Sequence, residues 1–331
     1  MPLSQRLSLP TLRATGADLV HNSAATTEAI RVELRSGLMA TPAFTSPKYL
    51  YNALGSRLFE AICLVPEYYP TRTEAAIFDE NLAQIAQAVG PGSTLIDLGA
   101  GNCAKAVRLF PALLPRQYVP IDISADFLAQ ALAPIRQCFP TVEMTGIGLD
   151  FSSSLDLPAT VRHEKRVFFY PGSSIGNFVP AQAAAFLGRI RAACGADGAL
   201  LIGVDLIKDH AILDAAYDDA LGVTAAFNLN LLHHLNGLLE TDFAVQDWLH
   251  RAFYNPQQSR VEMHLEARQA LTVRWPGGQR RFAQGERIHT ENSYKYTPQS
   301  FAALLGAAGF DAIRTWTDDC GWFAVMHARA A

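Results

Sequence analysis

Three carboxylates and two glycines fall where a chain can bring bare backbone up to a nucleoside. The run Leu95-Ile96-Asp97-Leu98-Gly99-Ala100-Gly101-Asn102 reads as an apolar strand that ends in an acidic residue and turns through two glycines into a helix. Gly99 and Gly101 carry no side chain to block a ligand, and the helix that follows offers N–H groups without partners. Asp122 closes the next apolar run, where a carboxylate can accept both hydroxyls of a ribose. A third run ends in Leu149-Asp150-Phe151, with Asp150 as acceptor for an adenine amino group and Phe151 as an apolar wall for the ring. The set reads as an adenosine site.

Two cofactors fit it. With Ala104 the loop satisfies the Gly-x-Gly-x-x-Ala form of the dinucleotide fingerprint, so a nicotinamide-dependent dehydrogenase stays open. S-adenosylmethionine fits better, because Asp97 beside the loop suits a methionine ammonium and is a poor neighbour for a pyrophosphate.

Three further runs carry polar groups suited to binding. In Pro66-Glu67-Tyr68-Tyr69-Pro70-Thr71-Arg72-Thr73-Glu74 two prolines restrict the backbone around Tyr68 and Tyr69, as a rigid binding loop would require, and Thr73 is expected to cap the following helix. Gly172-Ser173-Ser174-Ile175-Gly176-Asn177-Phe178 follows a strand, and its small residues leave room for a ligand while Asn177 offers both a donor and an acceptor to an amino-acid backbone. Glu291 and Ser293 are two apart within residues 288–296. If that run is a strand they share a face, with Thr290, Asn292 and Tyr294 on the other, and a carboxylate beside a hydroxyl can grip an imidazole at both nitrogens. The histidines form no metal-ligand spacing, the five cysteines contain no C-x-x-C pair, and no metal is expected.

The elements that must position these groups follow an α/β rhythm. Strands are expected at 94–98, 118–121, 142–146, 166–170 and 199–205, with helices at 104–114, 125–139 and 181–193. The rhythm then stops. A long helical segment at 212–239 and two alternating stretches at 248–254 and 260–270 intervene before Thr297-Pro298 opens a helix at 299–308 and an antiparallel pair, 313–316 and 322–328, completes the sheet. Such an interruption implies an inserted α+β subdomain beside the carboxyl ends of the strands. The expected division is an arm at 1–23, a substrate-binding lid from 24–72 plus 208–294, and a cofactor-binding unit from 73–207 plus 295–331. Lys+Arg of 27 against Asp+Glu of 31 argues against nucleic acid as a partner, and no apolar run approaches the roughly 20 residues of a membrane span. A cytoplasmic monomer with reduced thiols is the expectation.

These strings together resemble the histidine-specific Nα-methyltransferase family, whose members serve ergothioneine biosynthesis. The resemblance runs from about Ala29 to the C-terminus. It is carried by Pro47-Lys48-Tyr49-Leu50-Tyr51-Asn52-Ala53-Leu54-Gly55-Ser56, by the Pro66 and Gly172 runs, by Asp205-Leu206-Ile207-Lys208-Asp209, and by residues 216–228. It implies a class I methyltransferase fold, a Rossmann-like sheet with a substrate-binding second domain. It also implies S-adenosyl-L-methionine as cofactor and L-histidine as substrate, methylated to Nα,Nα,Nα-trimethylhistidine (hercynine). By that resemblance Tyr51 lies near the substrate amine, and Asn177 and Tyr217 hold its backbone groups, the three forming the catalytic set. Tyr68 lines the imidazole side and is counted also among the cofactor contacts; Glu291 and Ser293 select imidazole, and Met263 packs beside it. Gly99, Gly101, Asp122, Asp150 and Phe151 contact the cofactor. A methyltransferase for tryptophan or another aromatic amino acid remains the alternative, although an indole gains little from a buried carboxylate. A non-catalytic ligand sensor is the other.

Overall fold

The computed structural model describes residues 19–21 and 27–331. Its larger sheet has nine strands among the described residues. The path runs Leu19–His21, Gly146–Gly148, Gln117–Asp122, Thr94–Leu98, Arg166–Tyr170, Ala199–Asp205, Phe323–Ala330 and Phe310–Thr317, with Glu143–Met144 paired to Gln117–Asp122 at its side. Phe323–Ala330 runs against both of its neighbours; the strands from Leu19–His21 to Ala199–Asp205 are parallel. Thr94–Leu98 and Ala199–Asp205 are buried at every residue, as strands covered by helices on both faces must be. One face packs Ile96 and Leu98 against Phe186, Ile190, Phe301 and Leu305 of the helices Pro180–Cys194 and Pro298–Ala307. The other packs Leu95 against Ile77 and Ile85 of Tyr69–Val89 and Leu109 of Ala104–Leu113.

A second sheet orders Ala43–Phe44, Arg287–Tyr294, Arg260–Ala267 and Trp248–Asn255, antiparallel except for the first pair. It shares one core with the helices Ala53–Ile62, His210–Tyr217 and Val223–Leu239, in which Phe227, Leu231 and Leu235 meet Val261, Leu265 and Ile288. The sheets meet where Tyr296 N donates to Asp205 O at 3.1 Å and Ile207 N donates to Tyr296 O at 3.0 Å. All five cysteines are free, and no helix among the described residues is long and apolar enough to cross a membrane.

Five elements differ from the reading of the sequence. The segment 212–239 is two helices, because Gly222 takes φ +73° and Asp219 accepts from Val223 N at 3.0 Å and Thr224 N at 2.7 Å, starting a second helix after the turn. The strand at 142–146 is split into Glu143–Met144 and Gly146–Gly148. Thr73 caps nothing: the helix begins at Tyr69, with Pro70 in its first turn, so Thr73 lies inside it. Of the arm at 1–23 only Leu19–His21 is among the described residues, and it forms an edge strand on Gly146–Gly148. The hairpin Leu271–Trp275 with Gly278–Phe282 was not read at all, although Pro276-Gly277, with Gly277 at φ +84°, marks its turn.

The helix at Pro298 does open as the sequence implies. Thr297 accepts from Ser300 N and Ser300 Oγ accepts from Thr297 N, both at 3.0 Å, a reciprocal cap. Thr297→Ala is expected to lower stability by about 1 kcal/mol, seen as a lower urea midpoint with an unchanged slope.

Candidate active site

The adenosine-site residues converge at the carboxyl ends of the parallel strands. Gly99 takes φ +71°, and a Cβ there would face the Phe151 ring at 3.7 Å, so the missing side chain leaves a slot between loop and ring. Asp122 is half-buried and braces the loop: its Oδ2 accepts from Gly101 N and its Oδ1 from Ser124 N, each at 2.9 Å. Burial raises its pKa, and these backbone donors oppose the rise. Lone pairs beyond those two bonds remain for a ribose. Asp150 Oδ1 accepts from Ser152 N at 3.1 Å, and its Oδ2 lies 3.4 Å from Lys48 Nζ. The Phe151 ring packs against Tyr170 and Phe186. Asp97 is buried beneath the loop, pushed up to about 7 by burial although the Tyr118 hydroxyl donates to it at 2.7 Å. A glycine cradle, a fixed acceptor for a diol and an aromatic wall fit S-adenosylmethionine.

The expected substrate residues also come together. Tyr51 and Tyr68 sit with Phe59 and Phe227 in a set of edge-to-face and tilted rings, with Tyr51–Phe227 centroids 5.4 Å apart and Phe59–Tyr68 6.2 Å apart. Tyr68 meets Tyr217 at 6.2 Å. Asn177 is half-buried at the end of the short turn Ser174–Asn177, which rests on the second sheet: a Cβ on Gly176 would come within 2.8 Å of Tyr294 O. Met263 and Glu291 are cross-strand partners. Glu291 and Ser293 share the inward face, both buried, while His289 and Asn292 line an outer groove of about 470 Å³ with Arg260, Glu262 and His264. The alternation shifts at one position. Thr290 is passed over between the pairs Met263–Glu291 and His264–His289, and its hydroxyl donates to Met263 O at 3.0 Å.

Glu291 Oε2 is buried without a hydrogen-bond partner. Burial pushes its carboxyl up to about 7, against the pull of the Lys295 ammonium. Such an atom is an acceptor waiting for a ligand N–H. Tyr217 Oη donates to Ser293 Oγ at 2.7 Å, and the fully buried Lys295 donates to Tyr217 Oη at 3.0 Å, to Ser293 Oγ at 2.8 Å and to Asp205 Oδ2 at 2.6 Å. Asp205 also accepts from Tyr69 Oη and from Lys208 Nζ. Burial alone would depress Lys295, yet Asp205 outweighs it and holds the ammonium above its usual range.

A family model described as "Histidine-specific methyltransferase, SAM-dependent" matches residues 30–330. The chain belongs to this family. It is 40% identical over 308 residues to "Histidine N-alpha-methyltransferase" of Mycolicibacterium smegmatis, covering 91% of this chain and 95% of that protein. The protein of the same name from Mycobacterium tuberculosis is 40% identical over 307 residues, covering 91% and 94%. "Ergothioneine biosynthesis protein 1" of Neurospora crassa is 30% identical over 289 residues, covering 81% of this chain and 31% of that protein.

For a histidine-specific methyltransferase the site contains more than the sequence reading named. Phe59 and Phe227 complete the aromatic wall; Phe227 lies in one of the recognised strings, but only the packing of Ala53–Ile62 on Val223–Leu239 brings the two rings to 6.1 Å. Lys295 follows Glu291 and Ser293 at the same period of two, the one local signal in the sequence for its place on their face. Glu74 and Lys105 were also missed. Glu74 is buried, accepts from Gly172 N at 2.7 Å and pairs with Lys105 Nζ at 2.6 Å, which ties a helix, the loop of Gly172 and the glycine-loop helix together. Lys105 remains partly exposed, in the first turn of the helix that follows the glycine loop.

Glu291 links this site to stability. Its carboxyl ionises near 4.5 in the absence of the fold and near 7 within it. Between those pH values the folded chain keeps a proton that the unfolded chain has released, so stability falls as pH rises; above 7 the cost levels off at about 3 kcal/mol. Glu291→Gln has no such proton to lose. It is expected to melt like the wild type near pH 4.5 and at a higher temperature near pH 8, as followed by calorimetry.

Proposed function

We propose that the chain is an S-adenosylmethionine-dependent Nα-methyltransferase that carries L-histidine to Nα,Nα,Nα-trimethylhistidine, the opening step of ergothioneine biosynthesis. The observation that carries the substrate assignment is the unpartnered, buried Glu291 Oε2 on the same strand face as Ser293, an acceptor and a hydroxyl spaced for the two nitrogens of one small ring. The activity for which the mycobacterial relatives are named supports it. In this reading residues 24–72 and 208–294 form the substrate unit, and residues 73–207 and 295–331 form the cofactor unit.

S-adenosylmethionine supplies an electrophilic methyl group when bound. The chain's own residues have to present a nitrogen lone pair to it. Asn177 and Tyr217 orient the amino-acid backbone, Glu291 and Ser293 hold the side chain, and Met263 fills the space beside the ring. Tyr51 reaches the amine as a neutral hydroxyl: burial, then the charge of Glu291, keeps its phenol well above the usual pKa, so it does not serve as a phenolate base. An α-amino group loses its proton near about 8, and a nearby positive charge lowers that further. Positioning therefore supplies most of the rate. As methyls accumulate, the faces of Tyr51, Phe59, Tyr68 and Phe227 offer a surface that tolerates a quaternary cation.

The experiment is incubation with S-adenosylmethionine and pooled amino acids, followed by fragmentation of the product. Trimethylation at the α-nitrogen of histidine is expected; methyls on the imidazole would reverse the binding orientation, and a tryptophan product would displace histidine. On the cofactor side, Asp122→Ala is expected to weaken S-adenosylmethionine binding by about tenfold or more in calorimetry, since a charged acceptor is worth about 1.5–3 kcal/mol.

A further inference from the structure

We propose that Lys295 is a positioning residue that fixes the direction of the hydrogen bonds in the side-chain pocket, so that Ser293 can only donate to the substrate ring. The inference rests on the histidine reading and deepens it. Three groups form a closed triangle: Lys295 Nζ to Tyr217 Oη at 3.0 Å, Lys295 Nζ to Ser293 Oγ at 2.8 Å, and Tyr217 Oη to Ser293 Oγ at 2.7 Å. An ammonium has donors and no acceptor, so both of its bonds in the triangle run outward from nitrogen. Its third N–H is spent on Asp205 Oδ2 at 2.6 Å, which pins the group in place.

The remaining edge then has one favoured direction. Phenol is a stronger acid than an alkyl hydroxyl, so Tyr217 donates and Ser293 accepts. Ser293 Oγ thereby accepts twice, from Lys295 and from Tyr217, and has no lone pair left for a ligand. Its own hydrogen is the one group still free, and it points out of the triangle. Ser293 is thus a donor, while Glu291 Oε2, two residues away on the same face, is a buried acceptor with no partner. A donor and an acceptor side by side complement a neutral imidazole, with one nitrogen bare toward Ser293 and the other protonated toward Glu291. An indole or a pyrrole has an N–H for Glu291 but no lone pair for Ser293, and leaves that hydroxyl buried and unpaired. The pocket therefore reads the presence of a second nitrogen, and Lys295, which does not face the ring, makes it do so.

The test uses histidine and the two β-(pyrrolyl)alanines, each of which keeps one ring N–H and replaces the other nitrogen by C–H. Methyl transfer is measured in the full-length wild type, Lys295→Met and Tyr217→Phe. In the wild type both pyrrole analogues should fall about tenfold or more below histidine in kcat/KM, mostly through KM. In Lys295→Met, Ser293 accepts from Tyr217 alone and regains a lone pair for a ring N–H, so for the pyrrole that places its N–H at Ser293 the gap should shrink to about threefold or less. In Tyr217→Phe turnover should drop, but Ser293 still accepts from Lys295 and has nowhere else to aim its hydrogen, so the gap should persist for the pyrrole that places C–H at Ser293 and its N–H at Glu291. Pyrrole analogues used as well as histidine by the wild type, or a gap unchanged in Lys295→Met, would overturn the proposal while leaving histidine methylation standing. A wild type that does not methylate histidine would instead remove the reading beneath it. Should Lys295→Met fail to fold, Lys295→Met combined with Asp205→Asn, which leaves no unpaired buried carboxylate at the pair, takes its place in the comparison with the same expected and overturning results.

Discussion

The buried pair of Lys295 and Asp205 is the contact on which the site depends. Asp205 ends the last parallel strand before the insertion, and Lys295 stands at the point where the chain returns from it; their 2.6 Å contact lies beside the backbone bonds between Asp205 and Tyr296. Neither charge reaches water. Two such ions are costly to bury, and their attraction repays that cost only because every donor finds an acceptor: Asp205 takes Tyr69 and Lys208 as well, and Lys295 takes Tyr217 and Ser293. Losing one partner of such a pair typically costs about 3–5 kcal/mol. The geometry is demanded at the seam between the sheets, so Arg287–Tyr294 is held in register with the larger sheet.

A second buried tie lies within the unit of the larger sheet. Glu74 joins the helix Tyr69–Val89 to Gly172 and Lys105 through a buried carboxylate, and Gly203 has no room for a side chain because a Cβ there would fall 2.2 Å from Glu74 Oε1. With Tyr69 on Asp205 at the start of that helix, one element is fixed both to the seam and to the glycine-loop helix. The run Pro66 to Glu74 is therefore a fastening as well as a wall. The proline restriction expected from sequence is real, but its use is to start a helix at Tyr69 whose first two turns carry both anchoring side chains.

Glu291 shows how function opposes stability inside this frame. It is buried, raised to about 7 and left with one oxygen unpartnered, an arrangement that costs the fold and, in the proposed reading, serves a ligand. The shift at Thr290 allows it. By stepping over one residue between the pairs Met263–Glu291 and His264–His289, the strand keeps Glu291 and Ser293 inward while His289 joins the polar outer groove.

Much of this was legible in the sequence because short-range pattern sets it. Period two gave Glu291 and Ser293 one face, apolar runs with glycine turns placed Gly99, Asp122 and Phe151 at strand ends, and the halt after residue 207 announced an insertion. The recognised strings supplied the family, since several unusual runs in fixed order are hard to meet by chance. Helix starts were less legible: Gly222 breaks a segment that looks continuous because hydrophobic periodicity does not report a single positive φ. What the sequence could not determine is which groups meet across distance. Phe59 against Phe227, Glu74 on Lys105 and Lys295 on Asp205 join residues whose separation carries no local signal. Sequence alone determined the residue types and the faces they occupy; only tertiary packing decided which carboxylate is paired and which is left open, because that depends on desolvation and on the partners the other sheet brings.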